Sequence, residues 1–205
     1  MKNLEFTRRS FLGITVVVSA ALTLPTRTPA AIAAPINGWG GSQSANGWPI
    51  LATATLFRVE GCNESVGLAQ GDSATILLYV ARRLNYEINT LRDGEITGHS
   101  TNRAVAQSYE SNYLSGTAIA VHPALYPVGA SGLYYPNELA VIRNILAEVD
   151  GTVDWGGDAA VAKESHFQIA LPPGDRRITN TATRIRGWDQ APGRTGAGAV
   201  NAFDA

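Results

Sequence analysis

Between Ser165 and Leu171 the chain reads SHFQIAL and alternates strictly: His166, Gln168 and Ala170 fall on one face of an extended strand, Phe167, Ile169 and Leu171 on the other. Such a segment is satisfied only where one face meets an apolar core and the other a cleft or solvent, so it demands a sheet covered on one side. A second run, SGTAIAV from Ser115 to Val121, enters through Ser-Gly and continues in small and β-branched residues, the pattern of a short buried strand. On it Ala118, Ala120 and His122 are expected to share a face, and Tyr113, just before the glycine turn, is placed to fold back over that face.

Around these strands the period changes. GDSATILLYVARRLNYEI repeats Ile76, Leu77, Val80 and Leu84 at helical spacing, with Asp72 or Ser73 as cap and Arg82 and Arg83 toward solvent. In PNELAVIRNILAEVDG, Asn137 is the expected cap of a helix whose apolar face is Leu139, Ile142, Ile145, Leu146 and Val149. Ile178, Ala182 and Ile185 predict a weaker helix after PPGD. ATATLFRVEG reads as a strand over 52–61, and TVDWGG as a short strand and turn in which Trp155 fills core space and Asp158 satisfies loop amides. The expected fold is α+β, a small antiparallel sheet flanked by helices, over residues 51–188. Residues 34–50 read as an irregular arm pinned by Trp39 and Trp48, and 189–205 as a flexible tail.

Residues 1–33 stand apart. TRRSFLG puts Arg8 and Arg9 ahead of an apolar run from Phe11 to Leu24, and AIAAP supplies Ala31 and Ala33 for a signal peptidase. The paired arginines resemble a bacterial twin-arginine export signal, which implies an extracellular or cell-envelope protein. The apolar run is shorter than the ~20 residues that cross a bilayer, so no stable membrane span is expected after processing. This segment carries four basic and one acidic side chains, so its removal takes the formal net charge from −1 to −4. A nucleic-acid partner, whose phosphates call for a basic excess, is not expected. The single Cys62 has no partner for an internal disulfide.

In order, SNYLSGTAIAV, WGGD and HFQI resemble the zinc D-alanyl-D-alanine carboxypeptidase family, the VanY-like and L-alanyl-D-glutamate endopeptidase-like enzymes that trim peptidoglycan peptides. The resemblance spans Asn46 to Asp175 and implies a peptidoglycan D,D-carboxypeptidase-like fold. It places the family's three metal ligands, His, Asp and His, at Tyr113, Ala120 and His166. The family's acidic general base falls on Lys163, and substrate-binding roles fall on Arg103, Ser115 and His166. A methyl group binds no metal, and an ammonium has no lone pair with which to take a proton from water. The expectation is therefore a pseudoenzyme without a cofactor, binding peptidoglycan peptides or a cell-envelope protein. A competing expectation keeps the enzyme: zinc held by Tyr113, His122 and His166, with Glu164 as base. Serine hydrolysis lacks a Gly-x-Ser-x-Gly elbow, and His99 reads as a surface-loop residue.

Overall fold

The computed structural model describes residues 38 to 190; residues 1–37, on which the expected export signal falls, and those past Gln190 lie outside the described residues. The strands are β1 (Thr55–Arg58), β2 (Ser65–Leu68), β3 (Ile96–Thr97), β4 (Ala118–Val121), β5 (Val153–Trp155) and β6 (His166–Ile169). The α-helices are α1 (Asp72–Glu87), between β2 and β3, α2 (Pro136–Glu148), between β4 and β5, and α3 (Arg176–Gln190), after β6. Strands β1 and β2 form an antiparallel hairpin, and the others a four-stranded antiparallel sheet in the order β3-β4-β6-β5. The fold is α+β, with small antiparallel sheets and helices. No helix among the described residues is long and apolar enough to cross a membrane.

Register turns the period-two pattern into two chemically different faces. Ile119 pairs with Phe167 and Phe167 with Trp155, while Val153 pairs with Ile169. Directly opposed residues share a face, and these are buried with α1 in the core. Burying a side chain such as Phe167 or Ile169 stabilises the fold by about 1.5–3 kcal/mol. The other face carries Ala118 opposite Gln168, Ala120 opposite His166, and Asp154 at the edge opposite Gln168. SHFQIAL is thus the strand that joins core to site.

Several local expectations are corrected. The strand anticipated over 52–61 is four residues long and pairs with SVGL, which carries too short an apolar pattern to announce itself. Helix α1 has Gly71 at its N-cap with φ +118° and no side-chain cap; Asp72 reaches instead to α3, accepting from Thr179 at 2.9 Å and Arg186 at 2.7 Å. Helix α2 starts on Pro136, whose fixed φ suits a first helical position, and the Tyr135 amide donates to the Glu138 carboxylate at 2.8 Å, so Asn137 lies inside the first turn. Arg83 is not toward solvent: the residue is 8% exposed where α1 packs against α2, and it donates to Glu148 and Asn144 there. Asp158 accepts two bonds from Arg143, each 2.6 Å, rather than serving loop amides.

His122 also leaves its expected place. Strand β4 ends at Val121 and His122 takes φ +49°, which breaks the alternation that would have aligned it with Ala118 and Ala120. Its amide donates to the Glu95 carbonyl at 2.6 Å, and its ring faces the Asn89 carbonyl at 3.4 Å and the Glu95 carboxylate at 3.5 Å.

Candidate functional site

The site forms where the polar face of β4 and β6 meets a 3-10 turn, Ser108–Tyr113. Between that turn and β4, Gly116 has φ +64°, and a Cβ there would stand 2.6 Å from the Ala69 nitrogen, so only glycine fits the reversal. The turn lays Tyr113 over the strand face, with its hydroxyl 2.7 Å from His166 Nδ1 and the two rings nearly perpendicular. Tyr109 packs against the same imidazole at 4.9 Å between centroids. The segment before β6 is equally tight: a Cβ on Gly156 would meet the Lys163 carbonyl at 2.4 Å, and the Lys163 amide donates to the Gly156 carbonyl at 2.9 Å. That turn sets the Lys163 ammonium 4.9 Å from the Tyr113 ring centre, where it donates to Glu110 at 2.6 Å. Tyr113, Ala120, Lys163 and His166 therefore converge on one point.

A backbone amide fixes the protons of this cluster. The Asn46 N–H can only donate, so the Asn112 atom 3.1 Å away is Oδ1, and Asn112 Nδ2 is the group that donates to Gln168 at 2.6 Å. Gln168 consequently presents Oε1, which lies 2.8 Å from His166 Nε2 and requires a hydrogen there. The imidazole lone pair is then on Nδ1, and it accepts the Tyr113 O–H. The relay runs Asn46, Asn112, Gln168, His166, Tyr113 with no donor or acceptor mismatched.

Burial dominates the electrostatics. It pushes the His166 imidazolium down to about 4, against the bond from Gln168, which favours the charged form, and with help from the Lys163 charge. Because the folded value lies below the ordinary histidine value, the neutral ring stabilises the fold fully above about pH 6.5. That contribution, on the order of 3 kcal/mol, is lost as pH falls toward the folded value. Burial, reinforced by Glu110, also holds the Tyr113 phenol well above its ordinary range. Burial would raise Glu110 as well, but Lys163 and the Ala106 and Gln107 amides outweigh it and hold the carboxyl low.

These residues do not fit a catalytic zinc. The one imidazole lone pair is taken by a phenol that burial keeps protonated, the strand residue opposite is the methyl group of Ala120, and an ammonium stands beside both. Of the alternative ligand set, Tyr113 and His166 meet here, while His122, past the end of β4, faces the Asn89 carbonyl and the Glu95 carboxylate. Glu164 does not serve as base there: its carboxylate accepts the Gly132 and Leu133 amides at 2.6 and 3.0 Å and pins that loop. Among the described residues no three His, Cys, Asp or Glu side chains gather as a metal-holding group.

The two other residues expected to touch substrate make bonds within the chain. Arg103 donates to the Trp39 and Gly41 carbonyls at 2.7 and 3.1 Å, which ties the N-terminal arm down. Ser115 is 1% exposed, accepting from Ser44 at 2.9 Å and donating to the Asn112 carbonyl at 3.0 Å. The arm is thus anchored by Ser44, Asn46 and Trp48, whose indole donates to the Leu171 carbonyl at 2.8 Å, more than by Trp39. His99 lies half-buried in its loop, 3.0 Å from the Leu51 carbonyl. Sequence reasoning placed Gln168 on the cleft face but missed Glu110 and Asn112; the glutamate's signal was its place three residues after Gln107, as the closing residue of a capping arrangement.

Beside the closed centre lies an open cleft of about 300 Å³, walled by Tyr109, Leu146, Trp155, Asp154, Gln168 and His166 among others. A larger groove, about 880 Å³, runs between the β1–β2 turn and Thr90–Asp93, but none of the converging residues reaches it. Compared with family models, curated proteins and solved structures, the chain matches none.

Proposed function

We propose that the chain is an exported protein of peptidoglycan D,D-carboxypeptidase-like fold that binds cell-wall peptides without hydrolysing them. One observation carries this reading: the Tyr113 hydroxyl caps the His166 lone pair, and His166 pairs across the sheet with Ala120, the three positions where the resemblance would put metal ligands. Hydrolysis in that family needs a metal-bound water and a carboxylate to deprotonate it. Here a phenol, a methyl group and an ammonium stand in the corresponding places, while the neighbouring cleft stays open. The ordered segments SNYLSGTAIAV, WGGD and HFQI and the paired arginines of the leader support the same reading.

Sedimentation with purified peptidoglycan tests it. The mature protein co-sediments with the sacculi, soluble muropeptides displace it, and no D-alanine or peptide is released with or without added zinc. Arg103→Ala is retained like the wild type, because that guanidinium holds the arm rather than the cleft. Absence of retention would overturn the reading in favour of a cell-envelope protein partner, and release of D-alanine would overturn it in favour of a peptidase.

A further inference from the structure

The β1–β2 hairpin has one covered edge and one open one. The Val59 amide donates to the Glu64 carbonyl at 2.9 Å, and the same register pairs Phe57 with Val66 and Thr55 with Leu68. Bonded and non-bonded pairs alternate along an antiparallel ladder, so the N–H and C=O groups of Leu56 and Arg58 point away from β2. The same parity turns Gly67 and Ala69 away from β1, and there the chain meets them. The Gly67 carbonyl accepts the His99 amide at 2.8 Å, and the Ala69 amide donates to the Gly116 carbonyl at 2.8 Å. No described group bonds the backbone of Leu56 or Arg58 on the open side, and the Leu56 side chain is 74% exposed. Beside β1, and lined by no residue of β2, lies a groove of about 300 Å³ whose walls include Arg58, Glu60, Thr75, Leu78, Arg82 and Arg186. Arg82 holds Glu60 at 3.0 Å and Arg186 holds Asp72 at 2.7 Å. Arg58 instead donates to neutral oxygens, Asn63 Oδ1 at 2.7 Å and the Cys62 carbonyl at 3.3 Å, and meets no carboxylate among the described residues. An open edge of unpaired backbone groups thus runs beside a rim with cationic surplus.

We propose that β1 takes up an extended acidic segment of a partner protein as a third strand of the hairpin. The segment's backbone bonds to the N–H and C=O groups of Leu56 and Arg58, and its carboxylates pair along the groove, with Arg58 first among the cations. A second copy of this chain is the poorer occupant, since its own β1 would bring another guanidinium to the same rim. None of Tyr113, Ala120, Lys163 and His166 lines this groove, so the site is separate from the cleft beside His166. Fluorescence anisotropy of the mature protein with fluorescein-labelled Thr-Val-Glu-Val-Glu-Val tests it. The peptide binds, and its counterpart with glutamine for glutamate binds about fivefold more weakly. That gap narrows at about 0.5 M salt and in Arg58→Gln. Leu56→Pro weakens the acidic peptide about fivefold by removing an outward donor. It keeps a melting point near that of the wild type, because proline is tolerated where an edge N–H faces away from the ladder. The acidic peptide N-methylated throughout, a change that leaves the protein untouched, cannot join a ladder and does not bind. No binding of the acidic peptide, binding that survives N-methylation, or equal affinity for the acidic and glutamine peptides overturns the proposal. So does concentration-dependent dimerisation that Leu56→Pro abolishes, which would assign the edge to a second copy.

Discussion

Replacing Arg83 with alanine lowers the thermal unfolding midpoint by roughly 10 °C, the largest single-site effect expected in the chain. Its guanidinium lies between α1 and α2 and donates to the Glu148 carboxylate, to Glu87, to the Tyr79 hydroxyl at 2.7 Å and to Asn144 at 2.8 Å. Glu148 is 1% exposed and also accepts from Tyr79. Removing the cation leaves that carboxylate buried beside groups arranged for a salt bridge, which costs about 3–5 kcal/mol. Replacing both partners, Arg83→Met with Glu148→Leu, recovers much of the loss, since the buried carboxylate is removed together with its cation. Circular dichroism melts of the three proteins decide it: a midpoint for Arg83→Ala within a degree or two of wild type would mean that the ion cluster contributes nothing to holding α1 against α2.

A second large effect is a gain. Tyr113→His, Ala120→Asp and Lys163→Asp together convert a protein without stoichiometric zinc into one that keeps about one equivalent after dialysis. The Tyr113 hydroxyl already lies 2.7 Å from His166 Nδ1, so an imidazole in its place both uncaps the lone pair and offers a second nitrogen. Ala120 is the direct strand partner of His166, which puts their Cβ atoms about 4.5–5.5 Å apart on one face, within reach of a shared metal. The lysine change removes the repelling ammonium but strips Glu110 of its partner, leaving that carboxylate with the Ala106 and Gln107 amides. Without metal the triple variant is destabilised by unpaired carboxylates, and zinc raises its melting point where it leaves the wild type unchanged. With Lys163 retained, the double variant binds zinc more weakly. A folded triple variant that stays zinc-free would count against the resemblance that places a metal site at Tyr113, Ala120 and His166.

The strands and the convergence at His166 were legible because period-two alternation is a strong constraint, and a slip of one residue in β6 would have sent Phe167 into the cleft and His166 into the core. Tyr113 could be placed over the strand because Ser115 and Gly116 announced the reversal. His122 was misplaced by extending the same alternation one residue too far, past the end of β4 into a positive φ that a non-glycine sequence does not advertise. Arg103 and Arg83 failed for another reason: which carbonyls or carboxylates meet a long cationic side chain depends on elements distant in the chain, here the N-terminal arm and α2. The relay through Asn112 and Gln168 depends likewise on the arm's Asn46, sixty-six positions before Asn112.

Nitrogen-15 NMR of the His166 ring, with and without one equivalent of zinc, tests the closed centre most directly. The account predicts a protonated Nε2 and a bare, hydrogen-bonded Nδ1, unchanged from about pH 8 to about pH 5.5 and indifferent to zinc. Protonation begins only toward the midpoint of about 4 that burial imposes, and it moves upward in Tyr113→Phe, where the neutral ring loses the hydroxyl it accepts from. An imidazolium already present near neutral pH, or a zinc-dependent shift at Nδ1 in the wild-type protein, would contradict it.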